Sequence, residues 1–272
     1  MDFKKILVLL LITMMVLFLA ACGQEGPEEV QPAEPEVVED AEVEDEDITL
    51  SGTYVVGTSA GFPPFEYVEN GEITGFDIDL MKEIGKLKGF EVEVQDISFD
   101  SLIAALNSGN IDMIAAGMTI TEEREEVVDF SIPYFSANQS VIVQEESGNN
   151  LTVLYGDHDL GVQTGTTGDL WVTDNLKDEG ILTGNVKHYD TFVLVINDLV
   201  NGNIDGVVLD TPVAKRFTEL KSVTIVGEII TGEQYGIAVK EGNDRLLTAI
   251  NQGIEELREN GTMDELIDKY FQ

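Results

Sequence analysis

The sequence predicts an α/β fold in which one helix-to-strand unit is built twice, and two observations carry that prediction. The first is a repeat: Gly109-Asn110-Ile111-Asp112 recurs as Gly202-Asn203-Ile204-Asp205. Aligned on it without gaps, Phe99 falls on Phe192, Leu102 on Val195, Ile103 on Ile196 and Leu106 on Leu199, an apolar spacing of helical period that stops at the glycine. The second is the short apolar strand after each copy, at Met113-Ile114-Ala115-Ala116 and at Gly206-Val207-Val208-Leu209. A helix feeding a fully apolar strand belongs in an α/β layer with a parallel sheet. Ligands bind beyond the carboxyl ends of such strands. There the first copy places Gly117-Met118-Thr119-Ile120-Thr121 and then Arg124, and the second places Asp210-Thr211-Pro212. One half offers a fixed cation, the other a fixed anion.

The amino terminus reads as a targeting segment. Lys4 and Lys5 precede an apolar run from Ile6 to Ala21 broken only by Thr13, sixteen residues where a membrane span needs roughly 20. Residues 1–21 are therefore expected to be a signal peptide. Leu19-Ala20-Ala21-Cys22-Gly23 closes the run with small residues before the only cysteine of the chain, which resembles a lipoprotein signal with Cys22 as the lipid acceptor. The competing reading is a plain membrane anchor, and either one places the remainder outside the cytoplasmic membrane. A sole cysteine excludes intramolecular disulfides and a thiolate metal site.

Residues 22–49 are expected to form an acidic tether. From Gln24 to Asp47 there are twelve Asp or Glu, three prolines and no Lys or Arg, so self-repulsion extends the segment at roughly 3 Å per residue. The formal net charge of the chain is −37. Setting aside those twelve charges and the net +1 of the first 23 residues leaves about −26 on the folded part. Nucleic acid is excluded as a partner on these grounds.

Tyr54 to Gly57 opens the folded part as a strand, followed by the loop Ser59-Ala60-Gly61-Phe62-Pro63-Pro64-Phe65. Gly75 starts a helix running to about Lys88, with an apolar stripe through Ile78, Met81, Ile84 and Leu87. Glu91 to Val94 alternate as a half-buried strand. After the first repeat unit, Thr121 caps a helix from Glu122 to Val127 that ends at Asp129-Phe130-Ser131-Ile132-Pro133-Tyr134. Val141 to Val143 and Leu160 to Gln163 are strands, the latter leading through Thr164-Gly165-Thr166-Thr167-Gly168 into a helix containing Trp171. Beyond the second repeat unit come Val223 to Val226, a strand from Tyr235 to Val239, and a helix in two parts from Asp244 to Tyr270.

Arg124 stands in the first turn of a helix, where a cation opposes the macrodipole and calls for a nearby anion. Two readings remain open. Glu122, Glu123, Glu125 and Glu126 can make it a solvated surface pair, or its fork can hold a ligand carboxylate. Thr164 to Gly168 combines two glycines, three hydroxyls and a helix start, a nest for an anion but without the lysine of a phosphate loop. Asp210 is a turn-former or a cation ligand, and Phe62 and Phe99 are core or pocket wall. Trp171 is assigned to packing. His158 and His188 lack partners at metal-ligand spacing, and no Ser-His-Asp order is persuasive, so no catalytic residue, metal or cofactor is expected.

These segments resemble the solute-binding proteins of polar amino-acid ABC importers, the group of glutamine, arginine and histidine binders, from about Ser51 to Phe271. The resemblance rests on Gly61-Phe62-Pro63-Pro64-Phe65-Glu66, Gly75-Phe76-Asp77-Ile78-Asp79-Leu80, Ala116-Gly117-Met118-Thr119-Ile120-Thr121 with Arg124, and Asp129 to Tyr134. Val162-Gln163-Thr164-Gly165-Thr166-Thr167, Tyr235-Gly236-Ile237-Ala238 and Leu257-Arg258-Glu259-Asn260-Gly261-Thr262 complete it. It implies two Rossmann-like lobes of the type II periplasmic binding protein kind, residues 50–134 with 235–272 and residues 139–230. Two crossing hinge strands, near Tyr134 to Asn138 and Thr231 to Tyr235, would join them.

The resemblance also implies the site. Arg124 would grip the α-carboxylate of a free L-amino acid with donors at Gly117, Thr119 and Thr166, beside Ala116 and Thr167. Asp210 would take the α-ammonium, and Phe62 and Phe99 would flank the side chain. A zwitterion bridging the lobes favours the closed state, which a membrane permease then reads; a monomer is expected. The chain departs from the family pattern at Ser59, where glutamine and basic-amino-acid binders tend to have Asp, at Gln163 in place of a Lys, and at Leu209 in place of a polar residue. A neutral, glutamine-like ligand is the first expectation and a basic one the alternative, with Glu66 able to compensate. Two other functions compete. A dehydratase on the same fold would need a cleft acid that Ser59 and Leu209 do not supply, and a receptor sensor domain would be expected to carry a second membrane segment.

Overall fold

The computed structural model describes residues 47–272, so the expected signal peptide, Cys22 and the tether up to residue 46 lie outside the described residues. The end of the expected tether is already held. Lys88, buried at the end of a long helix, pairs with Asp47 and Glu256, and the Ile48 amide donates to the Gln252 side chain at 2.9 Å.

In chain order the described elements begin with β1 (Thr53–Thr58), β2 (Gly61–Phe62), β3 (Glu66–Glu69), β4 (Glu72–Thr74), α1 (Phe76–Lys88) and β5 (Glu91–Asp96). A 3-10 turn at Phe99–Ser101 leads into α2 (Leu102–Asn107), β6 (Met113–Ile114), α3 (Glu122–Glu125), β7 (Val128–Phe130) and β8 (Phe135–Gln144). Then come β9 (Leu160–Gln163), α4 (Thr167–Val172), β10 (Val186–Tyr189), α5 (Phe192–Val200), β11 (Gly206–Asp210) and α6 (Thr211–Leu220). The chain closes with β12 (Val223–Tyr235), β13 (Ala238–Lys240), α7 (Asp244–Glu259) and α8 (Thr262–Phe271).

Two five-stranded sheets result, in the orders β5-β1-β6-β13-β7 and β10-β9-β11-β8-β12, with a three-stranded sheet β2-β3-β4 beside them. The sheets are mixed where the sequence predicted parallel ones. β5, β1 and β6 are mutually parallel, as are β10, β9 and β11, but β13 and β8 run antiparallel to the central strands. In the second sheet the difference arises because β8 and β12 are long strands, their Phe135 and Tyr235 ends nearest the first sheet, that enter against the local direction. They pair antiparallel from Phe135↔Tyr235 to Gln144↔Val223, with register shifts between Ile225 and Gly227 and between Ile229 and Glu233. Asn138 holds the second shift, its side-chain oxygen accepting from the Thr231 and Gly232 amides at 3.2 and 2.9 Å. Val223 to Tyr235 is thus one strand, not a short strand followed by a separate one starting at Tyr235. The helix after Thr121 stops at Glu125, because Val128 turns into the core and pairs with β13.

The repeat has the same job in both places. It delivers β6 and β11, the central strands of the two sheets. Gly109 and Gly202 both adopt positive φ, 76° and 72°, and close their helices through bonds to Leu106 and Leu199. The Asp112 carboxylate accepts from the Val55 amide at 2.7 Å, and the Asp205 carboxylate accepts from the Asp159 amide at 2.8 Å. Ile111 and Ile204 fill the space over Gly57 and Gly161, where an added Cβ would lie 2.3 and 2.5 Å from their Cδ1 atoms. Phe65, Phe76, Tyr134, Phe135, Tyr235 and Phe271 pack where the crossing strands leave the first sheet, with centroids 4.8 to 6.3 Å apart. This aromatic mass seats the root of both crossings.

Candidate functional site

Ser59, Phe62, Phe99, Ala116, Gly117, Thr119, Arg124, Gln163, Thr166, Thr167 and Asp210 line one narrow cleft, together with Glu66. The fold puts them there because β1, β6, β9 and β11 all end at it, as open α/β sheets dictate. Ser59 follows β1, Ala116 and Gly117 follow β6, Gln163 ends β9 and Asp210 ends β11. Phe62 and Glu66 come from the three-stranded sheet, Phe99 from the 3-10 turn, and Thr166 and Thr167 from the start of α4.

Arg124 is not a surface pair. It is buried while Glu122, Glu123, Glu125 and Glu126 around it are exposed, and among the described residues no carboxylate lies within ion-pair distance of it. Thr121 caps its short helix through the Arg124 amide, which turns the side chain inward. Nη1 donates to the Thr119 carbonyl at 2.7 Å and Nη2 to the Gly165 carbonyl at 3.1 Å, and the guanidinium carbon lies 5.3 Å from the Phe99 ring centroid. Burial pulls its pKa below the ordinary value, and the charges of Glu233 and Asp210 oppose that pull. An arginine so placed keeps its proton and needs a counter-charge.

Asp210, 5% exposed, meets the other side of the cleft. Burial raises its pKa to about 7, the charge of Glu233 adds to the rise, and a short bond from the Tyr235 hydroxyl at 2.5 Å opposes it. Glu66 is fully buried, and neither of its carboxylate oxygens has a hydrogen-bond partner among the described residues. Its pKa is held well above the usual carboxylate range, first by burial and then by the charges of Asp77, Asp210 and Asp96. The cleft therefore holds a second acid of raised pKa besides Asp210, at a position other than Ser59 and Leu209.

Several donors face away from their expected targets. The Gly117 amide donates to Asp77 at 2.8 Å, the Thr119 hydroxyl to Glu233 at 2.7 Å, and the Thr166 hydroxyl to the Gln163 carbonyl at 2.9 Å. Thr119 pairs with Tyr235 through the neighbouring bonds Gly236 N to Met118 O and Ile120 N to Gln234 O, which leaves the Thr119 amide outside the bridge. The expected anion nest is filled from within. Asp169, three residues beyond its Thr166 cap, folds back to accept from the Gly165 amide at 3.0 Å and also meets His188 at 2.9 Å. Trp171 is half-buried against the core of the second sheet.

Four residues outside the predicted set shape the site. Asp77 accepts from the Gly117 amide and from the Tyr134 hydroxyl at 2.7 Å; burial raises its pKa to about 6 against both bonds. Glu233, Gln139 and Tyr235 lie on the crossing strands, with Gln139 donating to Glu233 at 2.9 Å. The sequence does carry a signal for Asp77: an acid one residue past Phe76, on the apolar face of a helix start. Among the described residues, no cluster of three or more His, Cys, Asp or Glu could hold a metal ion.

Known proteins share this sequence pattern and fold. The pattern of the bacterial extracellular solute-binding proteins, family 3, matches residues 54–272. A probable histidine-binding protein of Neisseria gonorrhoeae is 33% identical over 266 residues, covering 94% of this chain and 91% of that protein. The structure of an ancestral arginine-binding protein bound to arginine superimposes with a TM-score of 0.76 at 45% identity, over 81% of this chain and 99% of that one. An ancestral amino-acid-binding protein that is a precursor of cyclohexadienyl dehydratase superimposes with a TM-score of 0.75 at 34% identity, over 81% and 96%.

Proposed function

This chain belongs to the bacterial extracellular solute-binding proteins, family 3, and from that premise we propose that its cleft captures a free L-amino acid by lobe closure and delivers it to an ABC importer permease. The lobes are residues 50–134 with 235–272 and residues 139–230. The observation that carries the reading is the cleft's pair of buried opposite charges. Arg124 offers a guanidinium beyond the first central strand, Asp210 a carboxylate at the end of the second, and neither is ion-paired among the described residues. A zwitterion satisfies both at once, and water satisfies neither as well in so narrow a space.

We further propose that the ligand side chain is cationic and arginine-like. Glu66 supports this, because a buried carboxylate without hydrogen bonds is costly until a cation reaches it. The neutral, glutamine-like reading has its own support in the Gln163 amide and the Ser59 hydroxyl, and a protonated Glu66 would donate to a ligand amide. Calorimetry with L-arginine, L-histidine, L-glutamine and L-cystine separates the two. Glu66→Gln should abolish a preference for the cationic ligand while leaving glutamine affinity within a few-fold. A dehydratase-like activity is tested in the same samples, and turnover of prephenate or arogenate would replace the transport reading.

Outside the cleft, the proposal includes removal of residues 1–21, a lipid on Cys22 and a monomeric state. Family members act outside the cytoplasm. Among the described residues no helix is long and apolar enough to cross a membrane. Release of a Cys22→Ser chain from the membrane fraction is the expected result.

A further inference from the structure

Glu233 lies where β12 crosses between the sheets, and its buried carboxylate is shared three ways. One oxygen accepts the Thr119 hydroxyl at 2.7 Å and the Thr167 hydroxyl at 2.8 Å; the other accepts the Gln139 side-chain amide at 2.9 Å. Thr119 belongs to the segment leading from β6 to Arg124, Thr167 opens α4 beyond β9, and Gln139 sits on β8. One carboxylate therefore joins a segment of each lobe to both crossing strands.

A residue that only stiffened the crossing would need bonds to the crossing strands alone. Two of the three bonds go elsewhere. They go to the same two segments that Arg124 holds by their carbonyls, at Thr119 and at Gly165, two residues before Thr167. Arg124 grips this pair of segments through carbonyl oxygens and Glu233 grips it through hydroxyls. The two hydroxyls belong to segments of different proposed lobes and meet on one carboxylate oxygen, so a movement that draws those segments apart gives up at least one of the bonds.

We propose that Glu233 is a positioning residue for closure: its shared carboxylate holds the ligand-facing segments of the two lobes together and slows ligand escape. This rests on the lobe-closing reading of the cleft. The effect belongs to the closed state, so it acts on dissociation and leaves association nearly untouched.

The test uses the full-length chain in detergent, with Cys22→Ser, and dyes on cysteines introduced at the exposed positions Gln95 and Glu179, one on each lobe. Stopped-flow energy transfer with L-arginine, L-glutamine, L-histidine and L-cystine reads closing and release. Glu233→Ala should speed release roughly 10- to 100-fold with association changed less than about threefold, the range expected for losing hydrogen bonds to a charged group. Glu233→Gln keeps one acceptor and should recover part of the loss. Thr167→Val removes one arm and should fall between wild type and Glu233→Ala, which keeps the test decisive if the alanine variant does not fold. A role confined to folding would lower the melting temperature and the closing-competent fraction while release stays at the wild-type rate, and that result overturns the proposal. If the wild-type chain closes on none of L-arginine, L-glutamine, L-histidine and L-cystine, the binding reading fails and the latch with it; closure with normal release in all three variants removes the latch alone.

Discussion

The Gln163 side-chain amide donates to the Ser59 hydroxyl at 3.3 Å, and the two residues are counterparts. Ser59 lies four positions after Val55 and Gln163 four after Asp159, the two residues whose amides are bound by the repeated aspartates. The ends of two equivalent strands thus meet across the cleft. The bond is long and neutral, so Ser59→Ala should weaken amino-acid binding by no more than about 1 kcal/mol. Ser59→Asp should instead favour cationic ligands over neutral ones, measured as the ratio of L-arginine to L-glutamine affinity.

Arg124→Ala and Asp210→Ala should each weaken binding by roughly 2 to 5 kcal/mol, because each leaves the opposite charge of the ligand buried and unpaired. Calorimetry at pH 8 is the measurement. Wild-type affinity in either variant would rule out a zwitterion held between these two charges.

Asp77, Asp210 and Glu66 all have folded-state pKa values above their ordinary range, those of Asp77 and Asp210 at about 6 and about 7. A carboxyl group shifted upward binds its proton more tightly in the folded than in the unfolded chain. Its contribution to stability is complete below the unfolded value near 4 and is lost as pH rises through the folded value. These groups should therefore make the ligand-free protein melt at a higher temperature at pH 5 than at pH 8. Ligand binding should show the opposite slope, since an ammonium or guanidinium needs the ionised acids. Calorimetry at about pH 6.5, between the two folded-state values, in two buffers of different ionisation enthalpy should reveal proton release.

Gly117 has φ of +53°, and a Cβ there would lie 2.5 Å from the Phe62 ring. Gly117→Ala should cost about 1 to 3 kcal/mol in thermal stability through strain and overpacking, and should weaken binding by displacing a pocket-wall ring.

Lys88 is 1% exposed and meets Asp47 and Glu256. Lys88→Met should loosen residues 47–49, seen as faster amide exchange at Ile48, although the Ile48 bond to Gln252 and the Arg245 bond to the Thr49 carbonyl remain.

The repeat makes the layout legible, since each copy fixes a helix end, a central strand and the start of a half-site. Arg124 and Asp210 can be located from it because their positions follow from strand ends. Glu233 and Gln139 cannot, because their importance comes from the pairing of two strands at a separation of 94 positions, and a register with two shifts leaves no local pattern. Glu66 stands in a recognisable segment, but the burial that leaves its oxygens without partners is a product of tertiary packing, which no local pattern records. The mixed sheets escape a local reading for a related reason: the antiparallel pairing in the second sheet belongs to the crossing strands themselves, and their direction is set by the path between lobes.

The three-stranded sheet β2-β3-β4 belongs to neither copy of the repeat, yet it carries Phe62 and Glu66. On the proposed reading, the charges that hold the backbone of an amino acid are thus anchored in the duplicated framework, while Phe62 and Glu66, proposed to meet its side chain, ride on a compact insertion at residues 61–74. Selectivity and capture are on that reading physically separable, and exchanging that short cassette is expected to change the cargo without rebuilding the trap.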